Sequence, residues 1–167
     1  MHLDKTKPKR ICPHFQENYA GLVNMVDNET KRYENSFIIH MQILLLFAHA
    51  DDESLGAGGT IPHLLNEGHE IQLLTLSDGI VGTRESADDN LPAYRKACEQ
   101  LGIEDCQCLG YADQQFDAFP LSELIRGVYQ AMSFAPDWII THADTDLNKD
   151  HVVVSEIAKV IGRQRKK

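Results

Sequence analysis

The sequence lacks any long apolar run. Its longest stretch, Ile43 to Ala48, is separated from the apolar residues Phe37 to Ile39 by His40 and Gln42. A bilayer crossing needs about 20 consecutive apolar residues, so no transmembrane segment is expected. No apolar signal-peptide segment follows the basic Lys5, Lys7, Lys9 and Arg10, which leads to the expectation of a cytoplasmic protein. The four cysteines form no CxxC pair, and reduced thiols are expected rather than a disulfide or zinc cluster. Cys106 and Cys108 are read as facing opposite sides of one sheet. The segment Gly56-Ala57-Gly58-Gly59 falls short of a dinucleotide fingerprint, because Ile61 occupies the third glycine position. A basic surplus is also missing from the body of the chain. Residues 41–162 carry 6 basic and 20 acidic groups, a balance that repels phosphate backbones and argues against nucleic-acid binding.

What is present is enough for one folded domain. The chain has 167 residues, 43% hydrophobic and 25% charged, with a net charge of −9. Residues 1–40 carry 6 basic and 5 acidic groups, no sustained period and several Pro and Asn breaks; they are expected to form a poorly structured extension. Residues 41–167 read as the domain. Strands are expected at 42–49, 70–77, 105–110 and 138–141, and helices at 54–67, 91–101, 122–134 and 150–162, with Pro62 kinking the first helix or marking a late start. Strand–helix alternation implies an α/β fold: a Rossmann-like, doubly wound, mainly parallel sheet in the order 3-2-1-4.

Two loops carry the chemistry. The first strand ends in Ala48-His49-Ala50-Asp51-Asp52-Glu53, and the fourth in Thr141-His142-Ala143-Asp144-Thr145-Asp146-Leu147-Asn148-Lys149-Asp150-His151. Three adjacent carboxylates raise one another's pKa unless a cation neutralises them. An exposed acidic helix cap is the alternative for the first loop alone. In the expected strand order, both loops border the crevice where connections diverge, which is where doubly wound sheets bind ligands. His49, Asp52 and His151 then make a two-His, one-carboxylate set, the pattern of a catalytic zinc with an open position. Glu53 reads as a helix N-terminal charge or a supporting group, and Asp150 as a helix cap or a partner of a ligand.

The chain resembles the LmbE / PIG-L family of N-acetylglucosaminyl de-N-acetylases. The similarity is carried by Ala48-His49-Ala50-Asp51-Asp52-Glu53, by Leu55-Gly56-Ala57-Gly58-Gly59-Thr60, by Ser77-Asp78-Gly79 and Gly82-Thr83-Arg84-Glu85, by Leu109-Gly110-Tyr111-Ala112-Asp113, and by Asp146 to His151. The resemblance implies a zinc-dependent hydrolase that releases acetate from an N-acetylglucosamine-type amino sugar or its conjugate. It implies Zn2+, or another divalent transition metal, held by His49, Asp52 and His151. Asp51 would be the general base, and Arg84 and Asp113 would contact the sugar. Where some members place a histidine that polarises the amide carbonyl, this chain has Asn148; His142 is an alternative for that role, or a satisfied strand-end histidine. Ala50 replaces a frequent proline. Family domains continue past the final helix, so the domain is expected to be C-terminally incomplete. The implied partner is a small-molecule substrate, with homo-oligomerisation left open. The other reading is a non-catalytic metal- or sugar-binding module, or an inactive remnant.

Overall fold

The computed structural model describes residues 39–79 and 90–163. The extension expected over 1–40 lies outside these residues except for its last two, and Arg84 lies outside as well. Strand β1 (Gln42–His49) is the spine. Ile43 to Leu46 and Ala48 are fully buried, because both faces of the sheet are covered. β1 pairs in parallel with β2 (Glu70–Ser77) on one side and with β4 (Trp138–Ile140) on the other; β3 (Asp105–Cys108) pairs with β2. The order is β3-β2-β1-β4, as the alternation of elements implied.

The period of two along β1 divides the core. Leu44, Leu46 and Ala48 face one layer, together with α4 (Leu121–Ala131) and α5 (Lys149–Arg163), through Leu124, Val128, Val154 and Ile157. Ile43, Leu45 and Phe47 face the other. There they meet α1 (Asp52–Ala57), α2 (Ile61–Asn66) and α3 (Leu91–Leu101) through Ala57, Ile61, Leu64, Tyr94 and Cys98. Full burial of each large aliphatic side chain contributes roughly 1.5–3 kcal/mol. Cys106 and Cys108 both pack against this second layer, which corrects the reading that they face apart. Residues two apart on a strand return to the same face.

The helix expected over 54–67 is two helices. Pro62 sits in the first turn of α2, where its missing N–H costs nothing, and the break falls before it. Helix α3 ends at Gly102, whose φ of 80° lets its N–H reach the carbonyls of Cys98 and Glu99. The helix after β1 covers one face of the sheet and the helix after β4 covers the other. The chain therefore diverges between the C-terminal ends of these two neighbouring strands, and this opens the crevice that holds the site. Among the described residues, no helix is long and apolar enough to cross a membrane.

Candidate metal centre

His49 is the last residue of β1, and the chain turns at once: the Asp51 N–H donates to the His49 carbonyl at 3.0 Å. Asp52 opens α1, and its Oδ2 accepts the His49 backbone N–H at 2.8 Å. That bond folds the carboxylate back over the strand end. From across the crevice α5 contributes His151. Asn148 starts this helix, its Oδ1 accepting the Asp150 N–H at 2.9 Å. The two loops, 102 residues apart in sequence, bring His49 Nδ1 and His151 Nε2 to 3.2 Å. Asp52 Oδ2 lies 3.5 Å from His49 Nδ1, and its Oδ1 lies 3.6 Å from His151 Nε2.

These separations match the edges of a coordination shell. Tetrahedral zinc with ligand bonds of about 2.0–2.2 Å sets neighbouring ligand atoms about 3.3–3.6 Å apart. Two further groupings could hold an ion, His142 with Asp146 and His151, and His49 with Asp113 and Asp150. Each shares one histidine with the first set. The first set, His49, Asp52 and His151, uses the two ring nitrogens that face each other, His49 Nδ1 and His151 Nε2. In it each ligand histidine directs its other nitrogen at carboxylates, which is the usual way a metal-bound imidazole is oriented. His49 Nε2 is 3.2 Å from Asp150 Oδ2 and 3.0 Å from Asp113 Oδ1. His151 Nδ1 is 3.0 Å from Asp146 Oδ2.

Asp150 is only 1% exposed. Its Oδ2 accepts the Gln114 N–H at 2.8 Å and its Oδ1 the Phe116 N–H at 3.1 Å. It is therefore the partner of a ligand rather than the cap, which is Asn148. Sequence reading passed over Asp146, whose signal was its place in the same acidic loop, and Gln114 and Phe116, which gave none. The ring of Phe116 stacks on His49 with centroids 6.0 Å apart.

His142 lines the same cleft, with its ring stacked on His151 at 3.9 Å and 14°. Its Nε2 faces both the Ala48 N–H, at 2.9 Å, and Asp52 Oδ2, at 3.4 Å. A backbone amide always presents a proton, and it is the nearer group, so Nε2 is the acceptor and Nδ1 is the ring's donor. Asp51 is exposed and makes no capping hydrogen bond. Asp113 is buried, with Oδ1 turned towards His49. Glu53 is also buried, its Oε1 accepting from Ser54 Oγ while Oε2 has no partner, and burial pushes its pKa up. It is not a solvated helix charge. Phe47, Leu55, Gly56, Ile140 and Thr141 complete the walls of a cleft of about 330 Å³ beside Asp52, His142, Asp146 and His151.

The electrostatics suit a cation. Burial alone would lower the pKa of His49, but hydrogen bonds with Asp52 and Asp150 and the charges of Asp52 and Asp113 outweigh it and hold it at about 9. Burial would raise that of Asp52. The His49 imidazole and the His49 amide work against this, and the carboxyl is held well below the usual range. In the metal-free state, the proton on His49 is thus the positive charge among these carboxylates.

Known proteins resemble this chain in sequence and in fold. Residues 44–161 match the family described as PIG-L: GlcNAc-PI de-N-acetylase. The chain is similar to the diacetylchitobiose deacetylase of Thermococcus kodakarensis, 28% identical over 61% of this chain and 40% of the relative. It is also similar to the 1D-myo-inositol 2-acetamido-2-deoxy-alpha-D-glucopyranoside deacetylase of Salinispora arenicola, 34% identical over 46% of this chain and 30% of the relative. The N,N'-diacetylchitobiose deacetylase of Pyrococcus horikoshii, solved with an inhibitor, shares the fold with a TM-score of 0.64 at 22% identity, over 92% of this chain and 60% of that one. The chain thus spans less than two thirds of each of these relatives. The family match covers most of the domain and includes both histidine loops, and on that ground the chain belongs to the PIG-L family of de-N-acetylases.

Proposed function

We propose that this chain hydrolyses the N-acetyl amide of an N-acetylglucosamine-type amino sugar or conjugate, using a divalent cation, zinc by its ligand set. His49, Asp52 and His151 would hold the ion. The observation that carries this reading is their spacing of 3.2 to 3.6 Å, with each histidine backed by a carboxylate. A cation bound there supplies Lewis-acid chemistry, acidifying water and polarising a carbonyl.

The remaining steps belong to the protein's own residues. Asp51, exposed beside Asp52, takes a proton from the attacking water and passes it to the departing nitrogen. The water oxygen bonds to the acyl carbon, the C–N bond breaks, and acetate and a free amine leave. Donors for the developing oxyanion are Nδ1–H of His142 and the Nδ2 amide of Asn148, because Nε2 of the first and Oδ1 of the second are already acceptors. Arg84 and Asp113 hold the sugar, the latter through the oxygen not turned to His49.

A second reading, a metal- and sugar-binding module without turnover, is favoured by Asn148, an amide that cannot change charge, at the place where the resemblance puts a histidine. Acetate release from a panel of N-acetylglucosaminides separates the two. Release that stops on chelation and returns with zinc supports hydrolysis. Binding of zinc and sugar with no acetate selects the module, and neither binding nor release overturns both.

A further inference from the structure

We propose that Gln114 is a positioning residue of the metal centre, acting through its backbone conformation to fix the carboxylates that orient His49. This inference rests on the reading of His49, Asp52 and His151 as the cation's ligands. Among the described residues, Gln114 is the one non-glycine residue with positive φ, at 57°. An L side chain is strained in that region, and such outliers are kept where the surroundings over-determine them.

The surroundings here are specific. The left-handed turn at Gln114 brings two amides, its own and that of Phe116, onto the two oxygens of one buried carboxylate, at 2.8 and 3.1 Å from Asp150. Amides converging in this way form a concave anion site, and Asp150 is the anion that fills it. The same turn sets Asp113, the preceding residue, with Oδ1 3.0 Å from His49 Nε2, and the Gln114 side-chain amide donates to that oxygen at 3.2 Å. Two carboxylates facing one ring nitrogen repel each other. Gln114 places a donor on each of the two oxygens that His49 Nε2–H shares. The consequence is directional: Nε2 is turned to Asp113 and Asp150, and Nδ1 faces His151 and Asp52. Extended backbone at Gln114 would withdraw its N–H from Asp150, freeing the ring to rotate or change tautomer.

The test compares Gln114→Gly, Gln114→Ala and Gln114→Val in the full chain. Readouts are cobalt affinity by chelator competition, the His49 Nε2–H resonance of the metal-free protein, and the melting temperature. Glycine enters the left-handed region freely and keeps the amide, so its cobalt affinity stays within about threefold of wild type. Valine is excluded from that region; its folded fraction binds cobalt about 10–100-fold more weakly, and the His49 resonance shifts or is lost. Alanine falls between. A merely structural turn would lower the melting temperature of the alanine and valine proteins but leave cobalt affinity and the resonance unchanged, and that result overturns the proposal. Should valine fail to fold, the glycine–alanine pair decides it, equal affinities and resonances counting against. If wild type binds no cobalt while the substitutions still move the His49 resonance, the ligand reading falls and the positioning of His49 stands.

Discussion

Replacing Asp150 by asparagine separates a helix cap from a ligand partner. The carboxylate is 1% exposed and accepts three hydrogen bonds, from His49 Nε2, the Gln114 N–H and the Phe116 N–H. Asparagine keeps the shape but has one acceptor oxygen and one donor group. Whichever way it turns, its NH2 opposes a buried donor. An unsatisfied buried donor costs about 1–3 kcal/mol, so Asp150→Asn should destabilise the metal-free protein by about that amount. Alanine orphans both amides and should cost about twice as much, a large part of the roughly 5–15 kcal/mol that holds a domain together. The effect on metal is distinct. If the NH2 turns to His49, it opposes Nε2–H, and the ring either turns or moves its proton to Nδ1 against the Asp113 carboxylate; both disturb the ligand lone pair. Metal affinity should then fall about 10–100-fold. Denaturant unfolding of the metal-free proteins gives the first number, and zinc titration against a competing chelator gives the second. Wild-type zinc affinity in both the Asp150→Asn and the Asp150→Ala proteins, each folded, would refute the assignment of Asp150 as the partner that sets the His49 tautomer.

Two further outcomes follow from the same geometry. Asp51→Asn should bind zinc like wild type but lose about 10²–10⁴-fold in acetate release, since a general base contributes that much; equal turnover would remove Asp51 from the mechanism. The metal-free protein should be pH-sensitive in a defined window. His49 titrates near 6.5 when unfolded and about 9 when folded, so its contribution is complete below about 6.5 and is lost as pH rises through 9. Asp52, held low, contributes above its ordinary value and loses that contribution as pH falls below it. Zinc affinity should rise across pH 6.5 to 9, because the ion displaces the His49 proton. Unfolding midpoints and chelator titrations at several pH values check both trends, and a flat response from pH 6.5 to 9 would count against a charged His49.

The sequence by itself determined the architecture and the residue types of the site. The continuous apolar run from Ile43 to Ala48 dictated a strand buried on both faces, and Gly102 and Pro62 marked where helices stop and start, because these are one-dimensional patterns governed by local geometry. The two histidine-and-carboxylate loops could be placed together because strand order alone makes β1 and β4 neighbours. Only the tertiary structure decided which nitrogen of each imidazole faces the centre. It also assigned the capping of α5 to Asn148 and left Asp150 for His49, and it turned Asp113 towards that same ring. Those choices depend on donors from distant segments: the amides of Gln114 and Phe116 lie 36 and 34 residues from Asp150 along the chain. A side chain's orientation is set by the partners that fold around it, and no period or short motif records which partners those are.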